Sequence, residues 1–236
     1  MIINLISSPR NVSTALMYSF AQRTDMTVLD EPFYGNYLTR VETDHPGKQE
    51  IIANMEINID AIVERIHELS LGSNVFVKNM AHHLFDMEEL FMKEYHNVFF
   101  IRDPARIIAS FSKVIDSPVL RDIGIKQQLE LFSSLKESCH ITPIVIDSED
   151  LIADPHGFLR TLCEKLSIDF DRNMLSWKTG GIPEDGIWAK YWYNNVHNST
   201  GFKTEQTDPV VPKHLKNLHS EAMHYYLKLK KYALKF

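Results

Sequence analysis

Short apolar runs alternate along this chain with longer stretches in which apolar residues recur at helical spacing. The short runs predict β-strands at residues 2–6, 27–30, 74–77, 97–101 and 143–146. The longer stretches predict helices at residues 13–23, 50–69, 125–138, 155–166 and 213–235, and a further helix beginning at Pro104. Strands that lack polar alternation and are separated by helices are typically parallel and buried on both faces. The pattern therefore predicts an α/β fold, a three-layer sandwich with a central parallel sheet of about five strands.

Residues that begin or end regular structure set the remaining boundaries. Pro104 is suited to the first turn of a helix, Asp154 is an expected N-cap, and the 50–69 helix has a potential break near Asn58. Loops are expected at residues 7–12, 37–47 and 180–212. The last of these mixes glycine and proline with aromatic residues, which is typical of a long, ordered functional loop. At 236 residues, one domain over residues 1–236 is expected.

Composition narrows the class of protein. Hydrophobic residues make up 44% of the chain and the net charge is −6, so a soluble globular protein is expected and a nucleic-acid-binding surface is not. No stretch reaches the roughly 18 apolar residues of a membrane span. Cys139 and Cys163 cannot build a disulfide framework or a zinc site, and we interpret them as small apolar residues of a cytoplasmic protein.

The segment after the first predicted strand has the character of an anion-binding loop. Ligands of open α/β sheets lie beyond the carboxyl ends of the strands, and the free N–H groups of a helix N-terminus favour an anion. Arg10, Ser13 and Thr14 add donors there, although Ser13 as a helix cap and Arg10 as a surface residue remain the alternative. A kinase or GTPase needs Gly-Lys-Ser/Thr in this loop. Val12, Ser13 and Thr14 stand at those positions, which disfavours ATP-driven phosphoryl transfer.

Residues 9–14, Pro-Arg-Asn-Val-Ser-Thr, resemble the 5′-phosphosulfate-binding loop of the sulfotransferases, which reads Pro-Lys/Arg-Ser-Gly-Ser/Thr-Thr. The resemblance implies a P-loop NTPase-like fold and the sulfuryl donor 3′-phosphoadenosine-5′-phosphosulfate (PAPS), with no metal required. It implies that the donor is held by Arg10, Asn11, Val12, Ser13 and Thr14. Val12 departs from the family's glycine, and a β-branched residue does not readily take a positive φ.

A second motif follows the fourth predicted strand. Ser110 comes eight positions after Arg102, a spacing that resembles the family's 3′-phosphate motif. A guanidinium can fork onto phosphate oxygens while the hydroxyl donates from the following helix. The alternative is an ion pair between Arg102 and Asp103 with Ser110 as an ordinary helix residue. Lys203, in Gly-Phe-Lys, stands where the family has a basic loop over the same phosphate.

The same resemblance implies catalytic roles. Glu31, in Asp30-Glu31-Pro32, resembles the general base of the heparan-type sulfotransferases, with Asp30 as the substitute. Lys78, at the end of the third predicted strand, matches a lysine that contacts the transferring sulfuryl group. Met80 stands where cytosolic sulfotransferases have their basic histidine, so His83, together with His82, is instead expected to contact substrate or relay a proton.

These residues predict a sulfotransferase that moves a sulfuryl group from PAPS to a hydroxyl or amine of a small-molecule acceptor. The alternatives are a P-loop-like nucleotide kinase or NTPase and a non-catalytic nucleotide-binding module. A metal site from His45, His82 and His83 is disfavoured because adjacent helical side chains point about 100° apart. The aromatic run at residues 188–193 predicts a pocket wall, an adenine platform or core. Neither the acceptor nor the oligomeric state follows from the sequence.

Overall fold

The structure is a computed structural model that describes residues 1–42, 45–84, 87, 89–113, 115, 117–138, 140, 142–203 and 208–236. Its centre is one parallel sheet. The strands are β1 (Ile2–Ser7), β2 (Met26–Asp30), β3 (Asn74–Met80), β4 (His96–Ile101) and β5 (Ile144–Asp147). Their order across the sheet is β2-β3-β1-β4-β5, and every neighbouring pair is parallel. The predicted α/β class with a central parallel sheet of five strands is confirmed.

Helices cover both faces of this sheet. In chain order they are α1 (Ser13–Phe20), α2 (Tyr34–Arg40), α3 (Lys48–Asn54), α4 (Ile59–Ser70), α5 (Pro104–Phe111), α6 (Leu120–Ile123), α7 (Ile125–Ser138), α8 (Ser148–Ala153), α9 (Pro155–Lys165), α10 (Ala189–Trp192), α11 (Asn194–His197) and α12 (Lys216–Lys230). Single turns of 3-10 helix lie at Ala81–His83, Glu89–Glu94, Arg172–Leu175 and Lys213–Leu215.

Two apolar layers follow from the alternation of side chains along buried strands. Leu5 of β1 contributes to the layer under α1 and α9, where Phe20 stacks on Phe76 with ring centroids 4.2 Å apart. Ile6 contributes to the opposite layer under α7 and α12, where Phe99 meets Phe132 edge-on at 5.5 Å. Because successive residues of one strand serve opposite layers, the strand sequences show no polar alternation.

Local capping residues set several helix boundaries as expected. Asp103 accepts a hydrogen bond from the Ala105 N–H at the start of α5, and Asp154 accepts one from Gly157 at the start of α9. The break near Asn58 is present, since its side chain accepts from the Ala61 N–H and begins α4 as a separate helix.

The expected 180–212 loop contains the short helices α10 and α11, and three further boundaries differ notably from the sequence-based prediction. The expected 37–47 loop begins inside α2, because Tyr37 and Leu38 are buried against the first apolar layer; Thr43 and Asp44 of that loop lie outside the described residues. The C-terminal helix ends at Lys230, after which Leu234 donates its N–H to the Val145 carbonyl beside β5.

The third difference concerns β3, which continues to Met80, so that Lys78 lies inside the strand rather than at its end. Cys163 is buried, as expected, and Cys139 lies outside the described residues. Over the part of the chain that the structure describes, the helices are all too short or too polar to cross a membrane.

Candidate active site

The predicted site residues come from four strands whose carboxyl ends share one edge of the sheet. Ser7 at the end of β1 is in register with Met80 of β3 and with Phe100 of β4, and Asp30 at the end of β2 is in register with Lys78. A cleft of about 890 Å³ opens at this edge. It is lined by Arg10, Asn11, Val12, Thr14, Glu31, His83, Arg102, Ser110 and Lys203, together with aromatic residues named below. The structure thus brings most of the predicted residues to one cavity.

The loop between β1 and α1 takes its left-handed residue at Arg10, not at Val12. Arg10 has φ of 57°, whereas Val12 has φ of −69° and ψ of 26°, so the positive φ that favours glycine is not needed at Val12. Glycine is therefore not required at position 12. The Asn11 side chain donates to the Phe100 carbonyl at 2.6 Å and ties the loop to the end of β4.

Ser13 was predicted to hold the donor, but it does not line the cleft. It is 1% exposed, and its N–H donates to the Asn11 carbonyl at 2.7 Å, because the loop closes a tight turn before α1 begins. Its hydroxyl also lies 3.4 Å from that carbonyl. The cleft is instead lined by Arg10, Asn11 and Val12 of this loop, and by Thr14 on the first turn of α1.

Two arginines and a serine meet where β1 and β4 adjoin. Arg10 donates from Nε to the Ser110 hydroxyl at 2.9 Å, and Arg102 donates from Nη1 to the Arg10 carbonyl at 2.5 Å. The chain leaves β1 toward one edge of the sheet and leaves β4 toward the other, so this is the topological switch point at which α/β sheets bind ligands. The side-chain amide of Gln128 links the ends of β1 and β4, because it donates to the carbonyls of Ile6 at 3.0 Å and Phe100 at 2.9 Å.

The electrostatics of this region favour an anion. Burial lowers the pKa of Arg10. Burial, with added repulsion from Arg106 and Arg10, lowers the pKa of Arg102 to about 10. Among the described residues the cleft is lined by six Arg or Lys side chains and two carboxylates, in a chain of net charge −6. Buried like charges are stabilised by a bound counter-ion. Lys203 is exposed at the rim, where its ammonium donates to the Asn198 carbonyl at 2.8 Å.

A buried charge network stands at the other end of the cleft. Lys78 is fully buried, and its ammonium donates to Asp30 Oδ1 at 2.9 Å, to Tyr193 Oη at 2.8 Å and to Glu31 Oε1. An ammonium has three N–H groups, and here each has an oxygen partner. Lys78 lies behind the carboxylates and does not line the cleft, and its contact with a transferring sulfuryl group stays a prediction.

The network sets the proton affinity of its members. Burial raises the pKa of Glu31, the ammonium of Lys78 opposes that rise, and Asp30 adds to it, leaving the pKa above its ordinary value. Burial lowers the pKa of Lys78, but Asp30 and Glu31 outweigh it, so the pKa lies above its ordinary value and the lysine stays charged. Glu31 is thus a carboxylate of raised basicity that reaches the cleft wall.

His83 lies beside Glu31 in an aromatic wall. Its Nδ1 is 3.7 Å from Glu31 Oε2, and its ring stacks on Tyr34 with centroids 4.7 Å apart. Burial, with the charge of neighbouring residues, holds the pKa of His83 well below its usual range. Burial likewise lowers the pKa of His82 to about 3, so both imidazoles are neutral. The wall is completed by Tyr37, His45, Trp188 and Trp192.

One residue at the centre of the network carried no role in the sequence-based prediction. Tyr193 is 163 positions from Asp30, and no short-range pattern connects them. Its place in the aromatic run 188–193 was the only signal, and that run was equally compatible with core. Within the described residues, no group of three or more His, Cys, Asp or Glu side chains is arranged to hold a metal ion.

A family model and a curated relative both match most of this chain. The family model described as "Sulfotransferase domain" matches residues 1–233. The chain is 38% identical over 215 residues to "Branched-chain-amino-acid aminotransferase-like protein 1" of Arabidopsis thaliana, an alignment covering 88% of this chain and 38% of that protein. The chain therefore spans about two fifths of the length of that relative.

Two solved structures share the fold. The sulfotransferase domain from the curacin biosynthetic pathway superposes with a TM-score of 0.59 at 18% identity, covering 99% of this chain and 98% of that one. The sulfotransferase domain from the olefin synthase of Synechococcus PCC 7002 gives 0.57 at 18% identity, covering 100% and 96%. At such identities the likeness concerns the fold.

Proposed function

This chain belongs to the sulfotransferase domain family, and we propose that it transfers a sulfuryl group from PAPS to a hydroxyl or amine of a small-molecule acceptor. The observation that supports this most directly is the meeting of Arg10, Ser110 and Arg102 at one end of a cleft whose other end holds Glu31. The same cavity is then lined by a cluster of cations that suits two phosphates and, at its other end, by a basic carboxylate.

The residues present fit a doubly phosphorylated nucleotide. Arg10 follows β1 and Arg102 follows the adjacent strand β4, and neighbouring strands lie roughly 4.8 Å apart. We assign Arg10, the loop amides and Thr14 to the 5′-phosphosulfate, and Arg102, Ser110 and the rim residue Lys203 to the 3′-phosphate. A cleft of about 890 Å³ has room for this nucleotide with an acceptor beside it.

Glu31 is the residue that we assign as general base. PAPS, when bound, supplies a sulfuryl group carried on a phosphate leaving group. Glu31 lines the cleft and its pKa is raised, so it can take the proton of an acceptor hydroxyl near neutral pH. Arg10 and the N–H groups around it lie where they would bind negative charge. Lys78 acts through Glu31, because its ammonium holds the carboxylate in place.

The neutral aromatic wall beside Glu31 is the expected acceptor site. His83 and Tyr34 stack there, and neither carries a charge near neutral pH. We therefore assign His83 to contact with the acceptor. Its low pKa makes it a weak base, so it is not expected to hold the acceptor's proton. An uncharged acceptor is the better match, since a charged one would lose its hydration among these rings.

The experiment begins with nucleotide binding. Thermal melting is measured with adenosine 3′,5′-bisphosphate (PAP) and, separately, with ATP and Mg²⁺. We expect stabilisation by PAP alone; stabilisation by ATP and Mg²⁺ alone would overturn the proposal and favour a nucleotide kinase or NTPase.

Transfer is then measured with ³⁵S-labelled PAPS and a panel of alcohols, phenols and amines. Glu31→Gln is expected to lower transfer by about 10²- to 10⁴-fold, leaving a measurable residual rate, while PAP still stabilises the protein. Glu64→Gln, which changes an exposed glutamate of α4, is the matched control and should leave both unchanged. Unaltered transfer by Glu31→Gln would show that Glu31 is not the base.

A further inference from the structure

Two carboxylates stand side by side at the end of β2, and one base is enough for the reaction. Asp30 is 8% exposed and Glu31 is 5% exposed, so burial alone does not distinguish them. Both contact the ammonium of Lys78. The feature that separates them is a phenol that arrives from a distant part of the chain.

Tyr193 lies between α10 and α11 and uses all of its hydrogen-bonding capacity inside this network. Its oxygen accepts from Lys78 Nζ at 2.8 Å and from Trp188 Nε1 at 3.1 Å. Its single proton faces Asp30, whose two carboxylate oxygens lie 2.9 Å and 2.8 Å away. A phenol has one donor and two lone pairs, so both lone pairs are used and the proton is shared, chiefly with Asp30 and more weakly with Glu31 Oε1 at 3.4 Å.

The two carboxylates therefore differ in how many of their oxygens have hydrogen-bond donors. Asp30 Oδ1 is approached by Lys78 and Tyr193, and Oδ2 is approached by Tyr193 and by the Gly186 N–H at 3.1 Å. Glu31 contacts Lys78 and Tyr193 through Oε1, the latter at 3.4 Å. Among the described residues, the one polar approach to Glu31 Oε2 is that of His83 Nδ1 at 3.7 Å.

We propose that Tyr193 is a positioning residue that withdraws Asp30 from the reaction, holds Oε1 of Glu31, and leaves Oε2 of Glu31 as the atom that receives the acceptor's proton. This assignment rests on the proposed function. Trp188 orients the phenol from the preceding turn by donating to its oxygen.

The segment that carries Tyr193 is fixed to the core at its start. Asp185 accepts from the Tyr18 hydroxyl at 2.6 Å and lies 2.9 Å from His197 Nε2. Gly186, the next residue, donates to Asp30. Two successive residues of this segment are therefore held, Asp185 by the core and Gly186 by Asp30, which keeps Tyr193 within reach of both acids.

The proton affinity of Glu31 provides a direct test. The titratable groups that face Glu31 from the surrounding elements are Asp30 on β2, Tyr34 on α2, Lys78 on β3, His83 on the turn after β3, and Tyr193. The hydroxyl of Tyr193 lowers the pKa of Glu31, so its removal is expected to raise that pKa. Because the contact is long, at 3.4 Å, the rise should be smaller than the roughly one pH unit that corresponds to a full hydrogen bond to a charged group.

The experiment is a pH titration by NMR of protein labelled with ¹³C at the glutamate carboxyl carbon. Glu31→Gln identifies the Glu31 resonance, and Tyr193→Phe is expected to move its midpoint upward by up to about one pH unit. Tyr191→Phe, on the neighbouring helix α10 and outside the cleft, is the control and should leave the midpoint in place. An unchanged midpoint in folded Tyr193→Phe overturns the proposal. Should that variant not fold, Trp188→Phe removes one donor to the phenol, and a smaller upward movement is expected.

Transfer from PAPS supplies the second readout. Tyr193→Phe is expected to lower kcat about tenfold with KM for PAPS unchanged, and to cause no further loss in a Glu31→Gln background, as for residues that act as one unit. Equal losses in both backgrounds would overturn the proposal. If the wild-type protein transfers nothing from PAPS but the Glu31 midpoint still moves, the proposed function fails and the positioning contact stands.

Discussion

The Nε of Arg10 donates a hydrogen bond of 2.9 Å to the hydroxyl of Ser110, a residue 100 positions further along the chain. The first residue belongs to the loop after β1 and the second to helix α5 after β4. Two motifs that are separate in the sequence therefore meet in one place. In the proposed complex this place is where the two phosphate groups of the nucleotide are held.

Ser110→Ala is expected to weaken PAP binding. The variant loses a donor for the 3′-phosphate and releases Arg10 from its partner, and one hydrogen bond to a charged group corresponds to about a tenfold change in Kd. Isothermal titration with PAP measures it. Ser112→Ala removes a hydroxyl at the C-terminus of the same helix, where it contacts the Ala109 carbonyl, and should bind PAP as the wild type does. Equal affinities of Ser110→Ala and wild type would contradict the assignment.

Lys78→Met is expected to destabilise the fold strongly. The substitution removes the cation that Asp30 and Glu31 share inside the protein, and leaving a buried charge without its partner costs about 3–5 kcal/mol. Urea unfolding at neutral pH measures the free energy of unfolding. Lys126→Met is the matched control, because that lysine pairs with Glu130 at an exposed site on α7.

A second substitution makes the reason for that loss testable. Adding Asp30→Asn to Lys78→Met removes one of the two stranded charges and should restore part of the stability. If the double variant is no more stable than Lys78→Met, the loss comes from packing around the lysine stem and not from its charge.

The fold could be predicted because its determinants are local. Strands buried on both faces have apolar sequences, and residues such as Asp103 and Asp154 begin helices through contacts within three positions. Helix α2 was missed because what stabilises it is the burial of Tyr37 and Leu38 against residues far along the chain. A polar sequence can be helical when one of its faces is buried.

The candidate site was predictable where a motif is tied to a strand end, as for Arg10, Glu31 and Arg102. The placement of Lys78 was not, because its burial depends on Tyr193, which is 115 positions away. Ser13 also turned inward, since the tight turn before α1 uses its N–H. Sequence spacing gives the edge of the sheet where a residue lies but not the side chains that will surround it.

His82, which is half-buried with its Nδ1 shielded from solvent, and the buried His83 predict how the free energy of unfolding depends on pH. Burial lowers the pKa of His82 in the folded protein to about 3, below the value of about 6.5 in the unfolded chain. Between these values the unfolded chain binds more protons, so the free energy of unfolding falls as the pH is lowered from 6.5. Each such histidine contributes at most about 1.4 kcal/mol per pH unit.

Urea unfolding of wild type and of His82→Gln, measured from pH 7.5 to 4.5, isolates this contribution. Acidic groups affect both proteins alike. The free energy of unfolding of wild type minus that of His82→Gln should therefore fall steadily as the pH is lowered below 6.5. Parallel curves over the whole range would mean that His82 is protonated as easily in the folded protein as in the unfolded chain.

Val12→Gly tests whether the departure from the family's glycine limits nucleotide binding. Val12 already has a negative φ, and its side chain packs against the first apolar layer. Glycine gains nothing from φ there, loses that packing and makes the unfolded chain more flexible. The free energy of unfolding should therefore fall by about 1–2 kcal/mol in urea, while Kd for PAP stays within about twofold of wild type. If Val12→Gly instead binds PAP ten times more tightly, the valine side chain obstructs the loop, and the donor groups at Arg10 and Thr14 are not open to a phosphate as the backbone angles imply.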